Sequence, residues 1–166
     1  MKFIKDRNRI VNESREISQE DLDWVYNHVS FGYINDNGEI DAAGYDIQLK
    51  NQEDITHFPI KFADCRFFEV SDCTNLKSLH NSPDKVYTFS ASRCKSLVDL
   101  KGISKLIIRN LYISGCTNLR SFEGLTEIGH NINAVGCAYP EKVLISCWKK
   151  GITPDELENF KQDWEI

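Results

Sequence analysis

A chain of 166 residues is long enough to build one domain with a substantial core, so it need not depend on a metal or on disulfides. Its 41% hydrophobic and 27% charged residues exclude disorder, and no apolar run reaches the roughly 20 residues that span a bilayer. A net charge of −5, with no Lys/Arg cluster on one element, argues against nucleic acid and membrane lipid as partners.

The opening run MKFIKDRNRIVNESRE has no apolar stretch of signal-peptide length, and a cytoplasmic address is expected. The segment ISQEDLDWVYNHV then reads as a short amphipathic helix. Ser18 is its N-cap, with Asp21 three residues on, and Leu22, Val25 and Tyr26 share one face. FGYINDNGEIDA follows as a hairpin turning at Asn37-Gly38, residues that tolerate positive φ. Residues 1–44 are thus expected to form an N-terminal cap.

Residues 45–137 carry an internal repeat. CTNLKSL from Cys73, CKSLVDL from Cys94 and CTNLRSF from Cys116 share the pattern C-x-x-L-x-x-L/F, and Cys137 continues the series at spacings of 21, 22 and 21 residues. Reading backwards gives the apolar frame Phe68, Val70, Cys73, Leu76, Leu79, matched by Phe89, Ala91, Cys94, Leu97, Leu100 and by Leu111, Ile113, Cys116, Leu119, Phe122. A partial last unit has Ile132, Ala134 and Cys137, and a degenerate first unit has Ile47, Leu49, Gln52, Ile55 and Phe58. The i, i+2 pair puts two side chains on one face of a short strand, and the later steps of three suit an irregular return. No coil of this kind can bury its apolar face alone. The predicted fold is therefore α/β: a leucine-rich-repeat-like solenoid of five stacked coils with a parallel sheet of about five short strands.

Beyond Cys137 the pattern becomes helical, and residues 138–166 are expected to cap the last coil. PEKVLISCWKK starts at Pro140 and stops at Gly151. A second helix is expected behind the capping box Thr153-Pro154-Asp155-Glu156, with Leu157, Phe160 and Trp164 as its apolar stripe.

Four cysteines in register could suggest zinc. Strands about 4.8 Å apart, however, would set the outer two thiols about 14 Å from each other, too far for one ion. The column reads instead as buried small side chains at the corner between strand and return, and Cys65 and Cys147 lie outside it. His28, His57, His80 and His130 show no ligand spacing, and no nucleophile elbow, phosphate loop or dinucleotide fingerprint occurs. No catalytic residue, cofactor or metal is expected, and the chain reads as a non-enzyme.

The informative surface is the outward side of the strands. Glu69, Ser90, Tyr112 and Asn133 form one column, flanked by Phe67, Thr88, Asn110 and Asn131 on one side and by Ser71, Ser92 and Ser114 on the other. Arg66, Tyr87 and Arg109 stand near the strand starts. Tyr and Arg supply anchors in recognition surfaces and small polar residues adapt around them. Arg66, Glu69, Tyr87, Ser90, Arg109, Tyr112 and Asn133 are therefore the expected partner-binding residues, and the partner a protein.

The units NLKSLHNSPDKV, SLVDLKGISKL and NLRSFEGLTEIG resemble the divergent leucine-rich repeats of small proteins from large tailed bacteriophages, where the pattern runs roughly C-x-N-N-L-T-S-L-E-G-x-P-x-x-V. Phe58-Pro59-Ile60-Lys61-Phe62 matches the L-P-V-K-F string that ends the first coil in that family, and the resemblance covers about residues 20 to 137. The chain departs from the pattern at Gly102-Ile103-Ser104 and Gly124-Leu125-Thr126, where Gly-x-Pro is usual. The resemblance implies a phage accessory protein that binds and inhibits a bacterial host or defence protein in the host cytoplasm. A structural component of a phage particle is the alternative, and an enzyme with an unrecognised site stands third.

Overall fold

The structure, a computed structural model, describes residues 17–42, 44–103, 106–127, 131–151 and 154. The elements in chain order are α1 (Gln19–His28), β1 (Tyr33–Ile34), β2 (Ile40–Asp41), β3 (Ile47–Gln48), β4 (Cys65–Glu69), β5 (Lys85–Ser90), β6 (Leu106–Tyr112), β7 (Asn131–Asn133) and α2 (Glu141–Lys150).

Helix α1 begins as its sequence dictates, with the Ser18 hydroxyl accepting from the Asp21 N–H at 3.1 Å and Glu20 and Asp21 at the positive end of the helix dipole. Val25 is buried, and Trp24 adds an anchor outside the expected face: its ring meets Phe58 and Phe62 edge-on at 6.4 and 6.5 Å. The hairpin forms, but its loop is longer than expected. β1 and β2 pair with Ile34 opposite Ile40, which leaves five residues, 35–39, in the loop. Gly38 takes a positive φ of 74° and Asn37 does not. The reason is Asn35, whose Oδ1 accepts from the N–H groups of Asn37 and Glu39 at 2.9 and 3.0 Å and closes a longer turn in which one left-handed residue suffices. The Ile40 N–H then donates to Lys61 O, tying the hairpin to the first coil.

The coils stack as the repeat predicts. Strands β3-β4-β5-β6-β7 form one five-stranded sheet in which every neighbouring pair is parallel. Residues at equivalent frame positions pair: Ile47 with Phe68, Phe68 with Phe89, Phe89 with Leu111, and Leu111 with Ile132. The single 22-residue spacing has a local cause. Val86 pairs with Ile107 but Thr88 pairs with Asn110, so the extra residue is absorbed as a bulge in β6 opposite Tyr87.

Three residues after each strand a left-handed residue stands immediately before the cysteine position: Asn51, Asp72, Arg93, Gly115 and Gly136, with φ between 57° and 78°. The N–H groups of Asn51, Asp72, Arg93 and Gly115 donate to Ser71, Ser92, Ser114 and Val135 carbonyls in the next coil at 2.8–3.1 Å. That ladder fixes the corner even where the residue is arginine, for which this conformation costs of order 1 kcal/mol. At two of these corners the side chains also pair, Arg93 Nε and Nη2 each lying 2.6 Å from an Asp72 carboxylate oxygen. The guanidinium holds the Asp72 carboxyl below its usual range.

The cysteine column does more than fill space. Cys73, Cys94, Cys116 and Cys137 donate their S–H groups to the carbonyls of Leu49, Val70, Ala91 and Ile113, one coil back, at 2.8–3.2 Å. Asn75 and Asn118, two residues on, donate likewise to Glu53 and Lys95 carbonyls at 2.7 and 2.8 Å. The C-T-N-L string thus supplies a pair of side-chain donors, the thiol satisfying a carbonyl just past the strand of the preceding coil and the amide one on its return.

Burial pushes the Cys116 thiol up to about 12 and raises Cys73 and Cys94 as well. A thiol whose pKa is raised by folding stabilises fully below its unfolded pKa, about 8.5, and loses that contribution as pH climbs towards the folded value. Between those limits each such thiol lowers stability by about 1.4 kcal/mol per pH unit. Urea midpoints measured at pH 8 and pH 10 should therefore fall more steeply for the native chain than for a Cys94→Ala/Cys116→Ala variant. Equal slopes would mean these thiols titrate freely in the folded state.

One contiguous core runs from Val25 through the frame residues to Leu144. Helix α2 closes it with Leu144 and Cys147 buried, the Trp148 indole N–H donating to Leu125 O at 3.0 Å, and Glu141 accepting from the Ala134 N–H at 2.8 Å. Pro140 is the N-cap and not the first helical residue, and Gly151 ends the helix with φ 67°. Of the segment expected to form a second C-terminal helix only Pro154 is described; Thr153, Asp155, Glu156, Leu157, Phe160 and Trp164 lie outside the described residues, as does His130.

Candidate protein-binding face

The outward columns stand in the expected register. Gln48, Glu69, Ser90, Tyr112 and Asn133 pair successively, as do Phe67, Thr88, Asn110 and Asn131. Parallel pairing in equal register places like positions about 4.8 Å apart, so a polar residue in one coil meets its counterpart in the next. The Ser71 and Ser90 hydroxyls bond at 2.8 Å, Ser114 donates to Ser92 at 3.3 Å, Asn110 donates to Thr88 at 3.2 Å, and Asn131 donates to Asn110 at 2.9 Å. These bonds tie neighbouring coils together across the outward face.

Accessibility divides the candidate residues. Arg66, Arg109 and Asn133 are exposed, and Tyr112 is 38% exposed. Tyr87 is half-buried beneath Arg109, whose guanidinium carbon lies 5.6 Å from the ring centre and whose Nη1 donates to the Tyr87 hydroxyl. The bulge in β6 brings Arg109 opposite Tyr87, a placement that a strict 21-residue repeat would not produce.

Two of the candidate residues are largely covered. Ser90 occupies the outward column but is only 6% exposed, because the short side chain sits between Glu69 and Tyr112 and its hydroxyl is engaged by Ser71. It forms part of the floor of the face. Glu69 is likewise largely covered, with 14% of its side chain exposed and its carboxylate 2.7 Å from Lys50 Nζ. Lys50 was missed by the sequence reading. It lies two residues after Gln48, and strand alternation alone would have put it on the same face.

Chemically, the face offers cation, aromatic ring, amide and hydroxyl, arranged for hydrogen bonding and stacking. Among the described residues no group of three or more His, Cys, Asp or Glu side chains is placed to hold a metal ion, and no helix is long and apolar enough to cross a membrane. Comparison with protein-family models, curated proteins and solved structures finds no match to this chain.

Proposed function

We propose that the protein is a non-enzymatic binding module of leucine-rich-repeat type that docks a protein partner on the outward face of its sheet. The observations that carry the reading are the Arg109–Tyr87 stack across β5 and β6 and the outward Ser, Thr and Asn columns, whose side chains are already bonded to one another. Arg66, Tyr87, Arg109, Tyr112 and Asn133 make the contacts, and Ser90 and Glu69 support them. The resemblance of the repeat units to those of tailed-phage proteins favours a bacterial host or defence protein as the target, with inhibition as the outcome. The six unpaired cysteines suit the reducing cytoplasm where such a target resides.

Capture from bacterial lysate with the native chain, set beside an Arg109→Ala/Tyr112→Ala variant, tests the reading. Both side chains are exposed, so the unfolding temperature of the variant should match that of the native chain. Its affinity for the captured protein should drop about 100-fold or more, the usual scale for two anchor residues. A captured protein that binds both forms equally would remove the strand face from the interaction.

A further inference from the structure

Among the described residues the five-stranded sheet ends at β3, and no strand pairs with its outer side. In a parallel ladder, alternate residues direct their backbone groups to opposite sides. The Leu49 N–H donates to Glu69 O, so the flanking N–H and C=O of Gln48, one residue away, face outward from the sheet. They open into a cleft of about 380 Å³ between the end of α1 and β3, lined by Val29, Phe31, Tyr45, Asp46 and Gln48. Phe31 and Tyr45 stack on each other with ring centres 6.3 Å apart, yet they are 62% and 63% exposed. Neither residue belongs to the repeat frame, and neither covers the core.

Charge selects among occupants. Asp46 is exposed in this cleft and makes no ion pair among the described residues, while the nearby cation Lys50 is held by Glu69. Asp46 and Asp64 add to burial in pushing the Cys65 thiol up to about 12, which marks this end of the sheet as electronegative. A second copy of the chain fits poorly. Its β3 edge would bring another Asp46 to the site, and its β7 edge, Asn131–Asn133, carries no charge.

We propose that the β3 edge is a docking site for an extended, basic segment of a partner polypeptide. The segment adds a strand beside Gln48, placing a cationic side chain at Asp46 and an apolar one against Phe31 and Tyr45. Backbone pairing supplies affinity and the alternate side chains supply selectivity, as in other strand-addition complexes. This site does not depend on the Arg109 and Tyr112 face being used.

The probe is a fluorescent peptide of alternating lysine and valine, titrated into the full chain by anisotropy, with a glutamate–valine twin as comparison. Saturable binding of the lysine peptide is expected, about tenfold or more tighter than its twin. Phe31→Ala/Tyr45→Ala should weaken it about tenfold or more. Gln48→Pro, which removes the outward N–H along with the glutamine side chain on an edge strand that tolerates proline, should weaken it more than Gln48→Ala, which keeps the N–H, whereas Arg109→Ala/Tyr112→Ala should leave it unchanged. Failure of the folded chain to bind the lysine peptide, equal binding of the two peptides, or binding indifferent to both cleft variants overturns the proposal. So does sedimentation showing a self-association of the chain that Gln48→Pro abolishes, because the edge would then belong to a second copy.

Discussion

Gly102→Ala is expected to destabilise the protein by about 3 kcal/mol or more, although it adds a single methyl group. Two costs combine. Gly102 has φ +83°, a conformation that any side chain resists, and a Cβ there would lie 2.4 Å from the backbone nitrogen and 2.5 Å from the Cα of His80. The obstacle is main chain of the preceding coil, which cannot swing aside as a side chain would. Gly44→Ala separates the two costs: its φ is +84°, but nothing lies within 4 Å of the added carbon, so about 1 kcal/mol is expected. The comparison needs only thermal or urea unfolding of the two variants. Similar losses would mean that adjacent coils are not packed backbone to backbone at Gly102. Asn81 holds the same position one coil earlier at φ 68° and donates its amide to Phe58 O at 2.8 Å, so the left-handed turn there has a side-chain use that the closer approach at Gly102 forbids.

The second large effect belongs to Phe68→Ala, for which about 3–5 kcal/mol is expected. Phe68 is fully buried at the centre of an aromatic cluster, with ring centres 4.9 Å from Phe62, 5.7 Å from Phe58 and 5.5 Å from Phe89. These rings come from successive coils, and Trp24 of α1 rests on two of them. Removing Phe68 leaves a cavity that a parallel ladder on either side prevents from collapsing. It should also loosen the N-terminal helix, read as a red shift of tryptophan emission at denaturant concentrations where the native chain is unchanged. Val98→Ala, at a position 49% exposed, should cost less than about 0.5 kcal/mol and serves as the surface reference. A Phe68→Ala loss as small as that of Val98→Ala would remove the aromatic cluster from the core.

The two results would bear on the same property, the closeness with which one coil copies the next. That closeness is also why so much was legible before the fold was seen. When coils stack in register, equivalent residues share an environment, so Phe68, Phe89 and Leu111, or Cys73, Cys94 and Cys116, meet the same selection for size and polarity and the period appears in the residues themselves. The N-cap at Ser18 and the stop at Gly151 are local features and were equally readable. The hairpin turn falls at Asn37-Gly38 as read, but its loop is longer, because Asn35 bonding ahead to Asn37 and Glu39 is a signal that spacing alone does not separate from the Asn37-Gly38 pair.

By itself the sequence determined the period, the inward frame and the order of the outward columns, since all three follow from spacing along one chain. The tertiary structure decided which outward residues are exposed to solvent, sinking Ser90 between larger neighbours and engaging Glu69 with Lys50. It placed the bulge that sets Arg109 over Tyr87, and turned the buried thiols into donors to the coil behind. It also brought Phe31 and Tyr45 together at an open strand edge. Each of these depends on the distance between atoms in segments far apart in sequence or in adjacent coils, and spacing along a chain carries the identity of neighbours but not the room between them.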